Sequence, residues 1–419
     1  MRICILTLGC KTNQAESFSI ECSLKHAGND IVDISETPDL CIINTCTVTA
    51  KADRQSRQLI YRALRNKAKV IVTGCYSELN ADQIKSIEAT IDVIKNSEKE
   101  TIISKLTNYN PGNLSVNNRY PRHRPIVKVQ DGCNFSCSYC AIPKARGKSR
   151  SDSYDEIIKK INEYDASGYK EVVLTGIHLG AYGLDLRFKR SLSDLLKGIL
   201  KETSMTRIRL SSLGINEIND DLLATIGDSR ICKHLHIPLQ SGDDSILKKM
   251  DRTYSVAAFI SRLQIITEMF PDIAIGTDVI TGFPGEGDES FLKTCRFIET
   301  APFSYVHVFP YSTRPGTRAA SFDGQVPDII KKHRVNVLKT ICDSKRSDYL
   351  LRHLNKTLEI LIEKRTAEGS IGTSANYIKV LIASDFDLRE ETLINVRVTG
   401  FNNYQALAIP VNNYKPINI

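Results

Sequence analysis

No apolar run in this 419-residue sequence approaches the roughly 18 residues that a membrane-spanning helix needs, so a helical membrane protein is set aside. An export leader is not expected either. Leu6-Thr7-Leu8-Gly9-Cys10 behind Arg2 has the look of a lipoprotein cleavage site, but the apolar stretch Ile3–Leu8 is short of the about 7 to 15 residues such a signal requires. It reads as a β-strand, and the expectation is a cytoplasmic protein. Internal repeats and low-complexity tracts are lacking, which excludes solenoids and arrays. The 12 cysteines are spread irregularly over a long chain, unlike the dense framework of a small secreted disulfide domain. Metal or redox chemistry is the better use for them.

With 42% hydrophobic and 25% charged residues the chain has the composition of a folded soluble protein. Its length exceeds one ordinary core, at about 100 to 200 residues per domain, and three domains are expected, over 1–110, 120–350 and 351–415. The net charge of +8 permits a polyanionic partner without requiring one.

From Arg2 to about Lys105, short β-rich runs alternate with helical patterns, the form of a parallel α/β layer. The predicted strands are Ile3–Leu8, Leu40–Asn44 and Lys69–Thr73, with Asp92–Lys95 as a weaker fourth, and each of the first three is followed by a cysteine. Between Thr101 and Gln130 there is no acidic residue, while Pro111-Gly112, Arg119, Arg122 and Arg124 mark a basic linker. The alternation resumes with strands near Ile126–Val129, Glu171–Leu174, Arg207–Leu210, His234–Ile237, Ile273–Val279 and Tyr305–Phe309, six βα units that predict a partial (βα)6 barrel. A helix over Pro327–Tyr349 follows, basic along one side through Lys331, Lys332, Arg334, Lys339, Lys345 and Arg346. After Asn355, the runs Leu358–Glu363, Tyr377–Leu381 and Leu393–Thr399, separated by Gly369, Gly372, Asp385 and Gly400, predict a small antiparallel β-barrel.

The strongest chemical signal is Cys133-Asn134-Phe135-Ser136-Cys137-Ser138-Tyr139-Cys140, a C-x-x-x-C-x-x-C loop directly after a predicted strand. Three thiolates can hold three irons of a cubane that normally takes four, leaving one iron open. The competing reading is a structural zinc knot, which needs a fourth ligand, and His123, His234 and His236 are poorly placed to provide it. Cys10, Cys46 and Cys75 each end a strand. In a parallel sheet such ends share the edge where ligands bind, so the three can converge. Geometry alone leaves a second metal site and ordinary buried cysteines equally open. Cys4 and Cys41, inside strands, are expected in the core, as are Cys22, Cys232, Cys295 and Cys342.

The words around these cysteines are informative. Thr7-Leu8-Gly9-Cys10-Lys11-Thr12-Asn13-Gln14, Asn44-Thr45-Cys46-Thr47, Thr73-Gly74-Cys75, Asp131-Gly132-Cys133 to Arg146-Gly147, His236-Ile237-Pro238-Leu239-Gln240-Ser241-Gly242, Gly282-Phe283-Pro284-Gly285-Glu286 and Tyr311-Ser312-Thr313-Arg314-Pro315-Gly316-Thr317 resemble the radical S-adenosylmethionine (SAM) methylthiotransferases over essentially the whole chain. The resemblance implies two [4Fe–4S] clusters, at Cys133, Cys137 and Cys140 and at Cys10, Cys46 and Cys75. It implies SAM on the open iron, with contacts at Tyr139, Gly176, Ser211, Gln240 and Asp278, and a carboxy-terminal barrel like the RNA-associated TRAM domain. A polar residue at a strand end also serves as a turn or helix cap.

Gly-Cys-Lys-Thr-Asn-Gln and Asn-Thr-Cys-Thr-Val-Thr look like the branch that acts on threonylcarbamoyladenosine beside the tRNA anticodon; the isopentenyladenosine branch typically has Gly-Cys-Gln-Met-Asn and the ribosomal-protein branch Gly-Cys-Pro-Lys-Asn. The implied reaction is hydrogen abstraction from C2 of the base by an adenosyl radical, followed by transfer of a methylated sulfur. Partners would be a tRNA anticodon stem-loop and a reductant protein such as flavodoxin or ferredoxin. Arg119, Arg122, Arg124, Lys144, Arg146, Lys148, Arg150 and the basic helix form either a stripe toward phosphates or a solvated basic face. Residues 350–419 carry eight Lys or Arg against seven Asp or Glu, so any RNA role there rests on the resemblance, helped by Tyr377 or Tyr404. A non-catalytic iron–sulfur RNA-binding module and a zinc protein are the readings from other classes.

Overall fold

The β-branched runs pair side by side. In the computed structural model, which describes residues 1–107, 120, 122–383, 386, 388–402 and 404–411, β1 (Arg2–Thr7), β2 (Asp30–Ile31), β3 (Leu40–Thr45), β4 (Lys69–Gly74) and β5 (Asp92–Val93) make a parallel sheet in the order β2-β1-β3-β4-β5. Both faces are covered, which is why the central strands read as continuous apolar runs. Cys4, Cys41, Ile43 and Val72 pack with Ile60 and Ala63 of the helix Ala50–Arg65. On the other face, Ile3, Ile42 and Ile71 meet Ile20 and Leu24 of the helix Lys11–His26. Cys4 and Cys41 lie opposite each other in register, and Cys22, Cys232, Cys295 and Cys342 are buried, so these six cysteines are core residues as expected.

Of the predicted linker, residues 108–119 and 121, including Pro111-Gly112 and Arg119, lie outside the described residues. The chain next forms β6 (Ile126–Lys128), followed by the short antiparallel ribbon of β7 (Gln130–Asp131) and β8 (Arg150–Ser151), which brackets the Cys133–Cys140 loop. Then come β9 (Glu171–Thr175), β10 (Arg207–Leu210), β11 (His234–His236), β12 (Ala274–Thr281) and β13 (Tyr305–Pro310). The sheets β10-β9-β6 and β11-β12-β13 are parallel, and the parallel bridges Ile208–Ile231 and Ser212–His236 join them into the expected six-stranded partial barrel. Alternation sorts its side chains. Val127, Val172, Leu174, Ile208, Leu210 and Leu235 enter the core beneath the outer helices, while Lys128, Glu171, Arg209, His234, His236, Asp278, Tyr305 and His307 take the other face, giving a polar lumen.

The helix predicted over Pro327–Tyr349 spans Asp328–Leu351. Its basic side is not a free stripe. Arg334 pairs with Glu286 and Asp288, each at 2.8 Å, Lys331 with Asp328 at 3.0 Å, and Lys345 donates to the Glu299 carbonyl at 3.0 Å. Burial of Arg334 against carboxylates from the preceding loop corrects the phosphate-facing reading of this part of the helix.

The last unit is a closed barrel of β14 (Thr357–Thr366), β15 (Gly369–Ser374), β16 (Lys379–Ala383), β17 (Leu393–Asn402) and β18 (Gln405–Pro410), in the order β14-β15-β16-β18-β17. Four pairings are antiparallel; β16 and β18 close the barrel in parallel. Two strands exceed the sequence reading, because Gly369–Ser374 was taken as a separator and Gln405–Pro410 was not recognised. The predicted separator Asp385 lies outside the described residues. Among the described residues no helix is long and apolar enough to cross a membrane.

Candidate active site

Each of β1, β3 and β4 ends just before a cysteine, and the geometry there is set by glycine. Gly9 and Gly74 have φ of 98° and 99°, a left-handed region that other residues rarely enter, and each turns the chain so that the next residue, Cys10 or Cys75, begins a helix. A Cβ on Gly9 would stand 2.9 Å from the Cys46 sulfur. Asn13 fastens the loops together by donating to the carbonyls of Leu8 at 2.7 Å and Thr45 at 3.0 Å. Cys10, the N-cap of its helix, makes no capping bond to the backbone, and its thiol donates to Asn13 Oδ1 at 4.0 Å. Cys46 feels both Cys10 and Cys75 electrostatically; burial, above all, pushes its thiol up to about 11 and raises that of Cys75. The three cysteines do converge.

The Cys133–Cys140 loop is held from several sides. Cys133 N donates to Gly147 O at 3.1 Å, Ser138 Oγ to Lys249 O at 2.7 Å, and Ala319 N to Ser138 O at 2.8 Å. Cys140, pushed up to about 12 chiefly by burial, feels Cys137 and Cys133. Donors aim at the sulfurs of both triplets: Phe135 N at 3.5 Å from Cys133, Arg252 Nη1 at 3.5 Å from Cys137 and Arg146 Nε at 3.3 Å from Cys75. Such donors favour thiolates. Among the described residues, neither triplet has all its sulfurs within 4.8 Å of one another. Four-coordinate zinc, with Zn–S near 2.3 Å, would draw them closer, so the donor sets suit a larger group with several metal atoms.

Arg146 corrects the phosphate-stripe reading directly. Its side chain is fully buried, bonded to Glu16 at 2.9 Å, Asp131 at 2.8 Å and Asn13 besides the Cys75 sulfur. It joins the first sheet to the second cysteine loop. His178, also absent from the sequence reading, bonds Glu217 through Nε2 and lies 4.0 Å from the Cys133 sulfur through Nδ1. Burial opposes its charge, but the bonds to Cys133 and Glu217 raise it to about 9.

Of the five positions expected to contact SAM, Gly176, Ser211 and Gln240 follow β9, β10 and β11, Asp278 lies within β12, and Tyr139 is in the cysteine loop. Tyr139 packs edge-on to Phe283 with centroids 6.5 Å apart. Gly176 follows β9, where a Cβ would press on the Gln130 side chain at 2.8 Å. Ser211 follows β10, and among the described residues its buried hydroxyl and His234 Nδ1 have no hydrogen-bond partner, so polar groups of the lumen are ready for a ligand. Gln240 has φ of 72° and ties β11 to β12 by donating its N–H to Asp278 O at 2.8 Å. Asp278 sits between His236 at 3.1 Å and His307 at 3.2 Å. Burial works against its charge, yet these two bonds hold the carboxyl down to about 2. Ser212 Oγ meets His236 Nδ1 at 2.8 Å, extending the network. The sequence reading passed over His236 and His307 as lumen residues, although their alternate spacing with His234 and Tyr305 carried the signal.

Tyr377 is exposed, at 40%, as expected; it also stacks on His234 with centroids 4.3 Å apart and lies against Arg209, where the last barrel meets the lumen. Tyr404 is partly covered by Arg346.

The radical SAM superfamily matches residues 127–298, and the uncharacterized protein family UPF0004 matches residues 2–96. The threonylcarbamoyladenosine tRNA methylthiotransferase MtaB of Bacillus subtilis is 37% identical over 91% of this chain and 90% of its own length. A tRNA-2-methylthio-N(6)-dimethylallyladenosine synthase of Lawsonia intracellularis is 30% identical over 97% of this chain and 98% of its own. Among solved structures, the radical SAM methyltransferase TsrM of Kitasatospora setae, with cobalamin and a [4Fe–4S] cluster bound, has a TM-score of 0.57 at 14% identity over 76% of this chain and 77% of that one, a likeness of fold. With these relatives spanning nearly the whole sequence, the chain belongs to the radical SAM tRNA methylthiotransferase family.

Proposed function

We propose that this enzyme methylthiolates C2 of N6-threonylcarbamoyladenosine next to the anticodon of tRNA. The observation that carries the reading is buried Arg146, which bonds the Cys75 sulfur and Glu16 on one side and Asp131, two residues before Cys133, on the other. The threonylcarbamoyl branch is favoured by its higher identity, 37% against 30%. Cys133, Cys137 and Cys140 hold one [4Fe–4S] cluster, and Cys10, Cys46 and Cys75 the other. Bound together, the clusters and SAM supply hydrogen abstraction from C2 and the methylthio group that replaces the hydrogen.

The chain supplies the rest. Arg252 and Arg146 place positive charge against the sulfurs. Tyr139, Gly176, Ser211, Gln240 and Asp278 line the SAM side of the lumen. Asp278, ionised between two imidazoles, offers a fixed acceptor for a cationic or N–H group. The base must leave its stack to enter, a small cost in a single-stranded loop. Residues 1–110, 120–350 and 351–415 act as sulfur-carrying, SAM-cleaving and RNA-holding units. A flavodoxin or ferredoxin provides the electron, and the reaction takes place in the cytoplasm.

The test is mass spectrometry of tRNA nucleosides from cells lacking methylthiolation, with and without this chain. Methylthio-threonylcarbamoyladenosine is expected with the wild type and is lost with Cys133→Ala. Methylthio-isopentenyladenosine in its place would overturn the substrate, and no new nucleoside despite assembled clusters would overturn the tRNA reading.

A further inference from the structure

Where the first sheet, the lumen and the last barrel meet lies a cleft of about 420 Å³ lined by Lys11, Gln14, Arg122, Arg124, Arg209 and Tyr377. Two of its four Lys and Arg side chains are already paired, while among the described residues Lys11 and the exposed Arg122 are not. Arg209 bonds Glu171 at 2.6 Å and the carbonyls of Ser374 and Ala375, and Arg124 pairs with Glu363 at 2.9 Å. Lys11 differs. Among the described residues its ammonium has no hydrogen-bond or ion-pair partner. Arg209 and Arg124 repel it across the cleft, and Glu171 attracts it more weakly. Both carboxylates near it, Glu171 and Glu363, are held by arginines. A secluded cation without a counter-charge is costly unless a ligand brings one, so the cleft is built for an anion.

The position of Lys11 narrows the choice of anion. It directly follows Cys10, at the mouth of the lumen, and on the substrate reading above, on which this inference rests, the reacting base presents C2 there. The N6 substituent shares the Watson–Crick edge with C2, so it must lie in the same neighbourhood. A threonylcarbamoyl group ends in a carboxylate, whereas an isopentenyl group is neutral and would leave the ammonium unpaired.

We propose that Lys11 binds the carboxylate of the threonylcarbamoyl side chain and that this cleft separates that nucleoside from its isopentenyl counterpart. Discrimination then comes from both sides: a charge pair for the right substrate and an unpaired, half-buried cation for the wrong one. The glutamine that the isopentenyl branch typically carries at the matching place in the motif fits a neutral side chain.

The test uses the cluster-loaded enzyme and synthetic anticodon stem-loops carrying threonylcarbamoyladenosine, its carboxamide, or unmodified adenosine. Equilibrium binding and single-turnover methylthiolation are measured on each. The wild type is expected to bind the acid at least about 10-fold more tightly than the carboxamide. Lys11→Gln brings that ratio close to one while iron content and carboxamide binding stay as in the wild type, and Lys11→Arg keeps the preference. An unchanged ratio in Lys11→Gln overturns the proposal. So does an equal loss on all three stem-loops, which would mark a backbone phosphate as the anion. Should Lys11→Gln fail to hold iron, the wild type decides: equal binding of acid and carboxamide overturns the proposal. Methylthio product from the acid stem-loop with no Lys11-dependent preference removes the pocket alone; no product from wild type removes the substrate reading as well.

Discussion

A lysine beside a reactive cysteine is ordinary, but one whose ammonium is pushed down to about 8 gives the site a pH dependence in a measurable range. The charged form, which binds a carboxylate, predominates below about 8 and is lost above it. Affinity for the threonylcarbamoyl stem-loop should therefore be level from pH 6.5 to 7.5 and fall toward pH 9.5, levelling off once it has lost the roughly 10-fold that the charge pair contributes. Arg122, Arg124 and Arg209 face the same cleft. Glu171 and Glu363 are held by arginines, and a His123→Gln background removes the neighbouring imidazole. Lys11→Arg should flatten the profile, as measured by fluorescence titration across that range. A wild-type profile as flat as that of Lys11→Arg would mean that Lys11 does not face the ligand.

Among the elements, β9 and β10 carry a network that the sequence shows only as three scattered charges. Glu171 is fully buried and bonds Arg209 at 2.6 Å and Arg207 at 3.0 Å, with Arg124 at 3.7 Å. Burial opposes its charge, but these cations hold its carboxyl down from 4.5 to about 2. Its folded value is depressed, so its contribution to stability is complete above about pH 4.5 and is lost as pH falls toward 2. Glu171→Gln should cost about 3 to 5 kcal/mol at neutral pH, because three arginines lose their buried counter-charge. In urea denaturation the variant's loss of stability between pH 4.5 and 2 should be shallower than that of the wild type; parallel curves would dismiss the network. The same elements mark what was legible. Strand ends followed by cysteine locate both triplets, since strand periodicity and a parallel sheet determine where such ends meet. Gly369–Ser374 was hidden because glycine and serine have weak strand preference and the pairing of β15 with β14 and β16 imposes the conformation from outside. The Lys11 cleft was hidden for a related reason: its walls come from residues as far apart as Lys11 and Tyr377.

For the whole molecule, the question is what keeps two cysteine triplets, 58 positions apart at their nearest, in one working geometry. Contacts of two kinds cross between the first sheet and the barrel. Arg314 reaches Asp53 and Thr47, with Ser312 Oγ accepting from Ala50 N at 2.9 Å, and Arg146 binds Glu16, Asp131, Asn13 and the Cys75 sulfur. The second set matters more, because Arg146 links the Cys75 sulfur to Asp131, two residues before Cys133, with its side chain fully buried. The sequence offered Arg146 and Arg150 as equivalent members of a basic stripe; their surroundings make them unequal. Arg146→Met leaves Glu16 and Asp131 short of a buried partner and should cost about 3 to 5 kcal/mol. Arg150, whose side chain is 57% exposed and 3.5 Å from Asp131, should cost no more than about 1 kcal/mol as Arg150→Met. Chemical denaturation of the two cluster-loaded variants makes the comparison. The geometry predicts a second effect: in Arg146→Met, SAM cleavage should continue while methylthio transfer falls, so the ratio of 5′-deoxyadenosine to product rises. Equal stability losses in the two variants, with that ratio unchanged, would mean that apolar packing, and not this buried guanidinium, holds the triplets in register.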